Sequence, residues 1–210
     1  MSIVHLVRHG QVDNPSRVLY ERLPGFHLTS LGLEMAEVTA DFFATRPITH
    51  LRCSPLERAQ ESMAPIARLF PEIEVLIDVQ VTEASSRLAG QVMGSTAAAA
   101  KYPRNWHLLL NPFRPSWGEP YLQIAQRMTT AIHQAANLVG DDGQAIIVTH
   151  QLPIWMARRQ ASSQPLWHDP RRRQCALASI TSFHVITDAI AGIEYHEPAG
   201  ALLPNRRPGF

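Results

Sequence analysis

The chain has 210 residues, 45% of them hydrophobic, enough to bury one sizeable core, and a single domain over residues 1–210 is expected. Its 19 Lys and Arg against 18 Asp and Glu give a formal net charge of +1, so no global field draws in nucleic acid or an anionic membrane, and any anion site must be local. No apolar run approaches the roughly 20 residues of a membrane span, no secretory pattern opens the chain, and Cys53 and Cys175 lack CxxC spacing. The expectation is a soluble, cytoplasmic protein with both thiols reduced and with neither a nucleic-acid nor a membrane partner.

Residues 3–7 form a short, mostly apolar run ending in Arg8-His9-Gly10, the pattern of a buried strand opening into a glycine-containing loop. From Thr29 onward Leu33, Ala36, Val38, Ala40 and Phe43 keep helical spacing, with Thr29 or Ser30 as N-cap and Pro47 as the stop. Residues 48–53 read as a second strand, and Ser54-Pro55 as the N-cap and first position of a helix running to about residue 69. A third strand is expected at 74–79. The stretch 84–117, rich in Ala, Pro, Trp and Asn, is a lid-like insertion, with short helices expected at 96–101 and 105–110. Residues 119–138 have amphipathic helical periodicity, 140–143 form a turn, and 145–149 form an apolar strand ending at His150. A helix at 153–159, a strand pair at 176–186 and 190–195, and an extended tail at 198–210 complete the chain, without an internal repeat.

An arginine before a histidine at a strand end can fork onto phosphate oxygens, and the following glycine lets the backbone approach closely. Alone this is weak, because the chain has 10 histidines and a given one more often packs than reacts. Two further strand ends change the weight: Ser54-Pro55-Leu56-Glu57-Arg58-Ala59 and Val148-Thr149-His150. In α/β sheets such ends converge at the edge where ligands bind.

Taken in order, these motifs resemble those of the histidine phosphatase superfamily, the group that includes the phosphoglycerate mutases. Leu6-Val7-Arg8-His9-Gly10 is similar to the family's nucleophile motif, and Leu28-Thr29 with Gly32 and Ala36 to its first-helix signature. Ser54-Pro55-Leu56 with Arg58, Ala59 and Ser62 resembles its second arginine motif, Gly118-Glu119 with Arg127 the start of its later long helix, and His150 its second histidine. Glu83 falls where the family's proton donor usually lies. The resemblance runs from residue 3 to about residue 150. It implies an α/β fold, a three-layer α/β/α sandwich whose mostly parallel sheet has helices on both faces.

It also implies roles: His9 as nucleophile, Arg8, Arg58 and His150 as phosphate clamp, Glu83 as acid, and no metal or other cofactor. The chemistry is consistent. A neutral imidazole attacks a phosphate dianion without the repulsion a carboxylate would meet, and neighbouring Arg8 and Arg58 disfavour the protonated ring. Charge spread over equatorial oxygens is stabilised by preorganised donors, and the leaving alkoxide needs a proton that Glu83 supplies if burial keeps it protonated. Without the resemblance, Glu83 reads as a surface glutamate; for Arg58 a pairing with Glu57 or Glu61 and for His150 a capping role are the plainer readings, set lower because both residues accompany His9. The chain departs from the family pattern at Val12, Pro15 and Gln151, the last in place of a common glycine. Asn14 and Gln11 in the first loop and Gln151 in the last are further candidates for the phosphate pocket.

Arg158-Arg159, Arg171-Arg172-Arg173 and Arg206-Arg207 are the basic clusters; they read as solvated faces, with attraction of a phosphorylated substrate by Arg171 to Arg173 as the lesser reading. Trp106, Trp117, Trp155 and Trp167 read as packing residues. The expected function is hydrolysis of a small phosphate monoester through a phosphohistidine. A mutase is the nearest alternative; its longer, more basic insertion contrasts with residues 84–117, whose only cations are Arg87, Lys101, Arg104 and Arg114. A non-catalytic module that binds a phosphorylated ligand is the alternative of another class. Homo-oligomerisation and the substrate are left open.

Overall fold

The structure, a computed structural model, describes residues 1–92 and 118–203; the expected helices at 96–101 and 105–110, most of the lid-like insertion, Trp106, Trp117 and Arg206-Arg207 lie outside the described residues. Its strands are β1 (Ser2–Arg8), β2 (Ile48–Cys53), β3 (Val75–Ile77), β4 (Gln144–Thr149), β5 (Ile180–Ile186) and β6 (Ala189–His196). Its helices are α1 (Ser30–Asp41), α2 (Glu57–Leu69), α3 (Tyr121–Val139) and α4 (Gln151–Ala161), with single 3₁₀ turns at Val79–Val81, Pro170–Arg172 and Gly200–Leu202.

The six strands form one sheet in the order β3-β2-β4-β1-β5-β6. β3, β2, β4 and β1 are mutually parallel, and β5 runs antiparallel to both β1 and β6. Alternation along the central strands sorts side chains to two faces. Val4, Leu6, Ala145 and Ile147 pack with Met128, Ala131, Ile132 and Ala135 of α3 and Ile154 and Ala157 of α4. Val7, Ile146 and Val148 pack on the opposite face with Ala40 and Phe43 at the end of α1 and Ala59, Met63 and Ile66 of α2. Helices on both faces of a mainly parallel sheet make the expected α/β sandwich. No helix among the described residues is long and apolar enough to cross a membrane.

Several local expectations change. Thr29 does cap α1, its Oγ1 accepting the Gly32 amide at 2.9 Å. Ser54 does not cap α2: the helix starts at Glu57, and Ser54 Oγ accepts only the Leu56 amide at 3.4 Å while contacting His150. α4 begins directly after His150, ahead of the expected residue 153, because Pro153 falls in its first turn, where no amide is needed. β5 begins at Ile180 and not at residue 176, because Ala178 adopts a left-handed φ of 55° and its amide turns to the His9 carbonyl at 3.2 Å. Gly200–Leu202 curls into a 3₁₀ turn where an extended tail was expected. Trp155 packs as expected at 8% exposure, but Trp167 is 56% exposed.

Candidate active site

Neighbouring strands β2, β4 and β1 end side by side, and each end delivers one polar residue: Ser54, His150 and His9. The ladder continues past the strands, the His9 amide donating to Thr149 O at 3.2 Å and the Ser54 amide to Val148 O at 3.0 Å. The rings of His9 and His150 are 5.2 Å apart between centroids, and both side chains are buried. The loop after His9 lies flat on the first turn of α1: a Cβ on Gly10 would sit 2.4 Å from Gly32 O, and one on Gly32 would sit 2.1 Å from Gln11 O. The Gly10 amide also donates to Ser62 Oγ (3.1 Å), whose hydroxyl donates to Arg58 O at 2.7 Å, tying the loop to α2.

His9 donates its Nδ1 proton to the Gly10 carbonyl at 2.8 Å, which leaves the lone pair on Nε2. Burial holds its pKa well below the ordinary histidine value, and the charges of Arg8 and Arg58 add to that effect. The arginines invoked from sequence are therefore the lesser cause. His150 is lowered likewise, by burial first and then by His9 and Arg58. Ser54 Oγ and His150 Nε2 share a hydrogen bond of 2.7 Å. With the Ser54 hydroxyl as donor, the His150 proton lies on Nδ1, a buried atom without a partner among the described residues.

Arg58 rises from the first turn of α2 and is fully buried. It donates from Nη2 to Glu21 O and stacks on Tyr20 at 4.7 Å, while its Nε and Nη1 have no partner among the described residues. It does not pair with Glu57 or Glu61: Glu57 accepts the Gly25 amide at 3.1 Å, and Glu61 accepts the Leu28 amide at 2.6 Å. Arg8, half-buried, donates from Nη1 to Cys175 O at 2.6 Å and also has an Nε without a partner among the described residues. Glu83 is half-buried with its Oε1 accepting the Ala84 amide at 2.8 Å. Burial raises its pKa against the pull of Arg58, Arg173 and Arg8.

Of the eight side chains expected from sequence (Arg8, His9, Gln11, Asn14, Arg58, Glu83, His150 and Gln151), five thus converge on one place: Arg8, His9, Arg58, Glu83 and His150. The other three already have partners within the protein. Asn14 closes a ring with Val18, donating to its carbonyl at 2.8 Å and accepting its amide at 2.9 Å, and so braces its own loop. Gln11 Oε1 accepts the Thr29 hydroxyl at 2.8 Å. Gln151 accepts from Arg173 Nη1 at 3.3 Å and donates to Cys175 O at 3.5 Å.

Two groups were not foreseen individually. Glu21, pushed up to about 7 chiefly by burial, sits close enough to Glu83 for their charges to repel. Arg173 was grouped with a solvated triplet, yet the 3₁₀ turn Pro170–Arg172 directs it inward while Arg171 stays outside on Asp169 at 3.1 Å. The triplet itself was the available signal; spacing could not tell which member turns in.

A sequence model described as Histidine phosphatase superfamily (branch 1) matches residues 4–194. The chain is 46% identical over 93% of its length, and 96% of the relative's, to the uncharacterized protein Rv0525 of Mycobacterium tuberculosis. It is 28% identical, over 60% of its own length and 56% of the relative's, to a probable phosphatase of Schizosaccharomyces pombe. Among solved structures it superposes on Bacillus stearothermophilus YhfR with a TM-score of 0.73 at 20% identity, covering 90% of this chain and 94% of that one. Entamoeba histolytica phosphoserine phosphatase gives a TM-score of 0.73 at 16% identity, over 94% of this chain and 99% of that one.

Proposed function

The chain belongs to the histidine phosphatase superfamily, and from that premise we propose that it hydrolyses a small phosphate monoester through a phosphohistidine on His9. The observation that carries the reading is a set of four buried nitrogens around His9 without partners among the described residues: Arg8 Nε, Arg58 Nε, Arg58 Nη1 and His150 Nδ1. A protein rarely leaves buried donors unsatisfied unless something else satisfies them. A phosphoryl group on His9 Nε2 presents three oxygens to accept them.

In this route His9 Nε2 attacks phosphorus and the bond from phosphorus to the ester oxygen breaks. Glu83 gives its proton to the departing alkoxide. Water then attacks phosphorus, passing a proton to the Glu83 carboxylate, and the bond to Nε2 breaks to restore neutral His9. Arg8, Arg58 and His150 hold the equatorial oxygens throughout. The route calls on no metal. Proteins named as phosphatases are also among those this chain is similar to.

The test is phosphate release from an aryl phosphate in the presence of a chelator, with His9→Ala as control. Chelator-resistant turnover that falls by about 10³-fold or more in the variant is expected, as for loss of a nucleophile. Turnover indifferent to His9 sinks the proposal. Isomerisation of a phosphorylated acid faster than phosphate release points to a mutase, and phosphate binding without turnover on any substrate points to a binding module.

A further inference from the structure

Arg173 is a guanidinium near the site that the proposed chemistry does not use. Its Nε donates to His168 Nε2 at 2.8 Å and its Nη1 to Gln151 Oε1 at 3.3 Å, two neutral acceptors. His168 is set for this: its Nδ1 proton goes to Leu166 O at 2.9 Å, so Nε2 is the acceptor, and the ring rests against Tyr121 and Trp155 at 5.6 and 5.9 Å. Gln151 and Arg8 share the Cys175 carbonyl, so a short chain of hydrogen bonds runs from Arg173 to the arginine beside His9.

Charge separates Arg173 from an ordinary structural arginine. Among the described residues it has no ion pair, and residues 93–117 and 204–210 contain no Asp or Glu that could supply one. The carboxyl group that acts on it electrostatically is Glu83, the group the mechanism needs in protonated form. Arg8, Arg58 and Arg173 together bring three positive charges, whereas a phosphate monoester brings two negative ones. Nη2, with the second hydrogen of Nη1, leaves a fork of the kind that grips a carboxylate or phosphate.

We propose that Arg173, positioned by His168 and Gln151, is a specificity-determining residue that receives a second anionic group, a carboxylate or a second phosphate, carried on the alcohol part of the substrate. This rests on reading the site as a phosphomonoesterase and names its substrate class: small phosphate esters with a further anionic oxygen group.

The experiment uses matched pairs on the full chain: phosphoglycolate, 3-phosphooxypropanoate and 4-phosphooxybutanoate, each against the alkyl phosphate of equal length, with propane-1,3-diyl bisphosphate as the two-phosphate arm. For at least one length, kcat/KM for the carboxylate or bisphosphate should exceed that of its neutral partner about tenfold or more, the scale of one hydrogen-bonded charge. Whichever arm carries the larger ratio identifies the group. Arg173→Met should collapse the ratio, mainly through KM, and Arg173→Lys should restore part of it. His168→Ala, which keeps the charge but removes its support, should give an intermediate ratio. No preference in the unmodified protein at any length, or loss of both members of each pair by the same factor in a folded Arg173→Met protein, overturns the inference. Equilibrium binding of the same pairs to the His9→Ala protein reads the preference without turnover. Absence of hydrolysis with the binding preference intact therefore counts against the phosphatase reading alone, and absence of the binding preference counts against Arg173.

Discussion

Arg52 and Arg58 stand on either side of one strand-to-helix turn and are almost equally sealed from solvent, at 3% and 0% exposure, yet they are treated in opposite ways. Arg52, on β2, donates to Asp78 Oδ2 at 3.1 Å and to Gln134 Oε1 at 3.2 Å, so its charge is answered within the protein. Arg58 meets a backbone carbonyl and the face of Tyr20, and no carboxylate. Burying a charge costs several kcal/mol unless it is paired. The first arginine has had that cost offset by the fold, and the second has not, as the proposed anion site requires. Arg127 belongs with Arg52: it grips Glu119 at 2.7 Å, and Arg22 takes the same carboxylate at 2.9 Å while its Nε holds the Glu83 carbonyl at 2.6 Å. Paired arginines build the frame, and unpaired ones lie where the proposed chemistry needs an anion clamp.

The contrast is broken most severely at Arg58. Replacing it by Met is expected to lower kcat by about 10²–10³-fold, as for loss of a preorganised donor, while the unfolding midpoint stays level or rises because an unanswered buried charge is gone. A matching fall in both quantities would place Arg58 with Arg52 as a structural residue. Asp78→Ala is the mirror experiment. It strands the Arg52 charge and should cost about 3 kcal/mol in chemical unfolding, with phosphate release per folded molecule unchanged.

Glu83→Gln sharpens the same division within the site. Hydrolysis of an alkyl phosphate, whose leaving group needs a proton, should drop by about 10²-fold. An aryl phosphate, which leaves without one, should drop much less; an equal loss on both would mean that Glu83 holds the pocket and does not serve as the acid.

The smallest effect concerns Glu21. Its carboxyl, pushed up to about 7 from the ordinary 4.5, keeps a proton in the folded protein that the unfolded chain has already released. Stability present below pH 4.5 is therefore lost as the pH rises through about 7. Glu21→Gln should flatten the dependence of the unfolding midpoint on pH across that window, and an unaltered slope would assign the dependence to other groups.

Much of this was legible before any coordinates. Short apolar runs and the Thr29 cap place β1, β2, β4 and α1 from local physics alone, because a run of apolar residues and an N-cap hydrogen bond are written in neighbouring positions of the chain. The strand-end residues Arg8, His9 and His150, with Arg58 in the next helix, follow from the same patterns. Glu83 needed the resemblance, since nothing within its own stretch sets it apart from a surface glutamate.

What only the tertiary structure decided are contacts made across long separations in the chain. Ser54, read as a helix cap, serves His150 because β2 and β4 are neighbours in the sheet. Gln11 and Asn14 have polar side chains suited to phosphate, but Thr29 and Val18 hold them first. Arg173 shares its sequence surroundings with Arg171 and Arg172, and its direction is chosen by His168 and Gln151, which hold it in place. Chain order specifies which charges exist and which strand ends bear them. Whether a given charge is answered depends on which carboxylate the packing brings within reach.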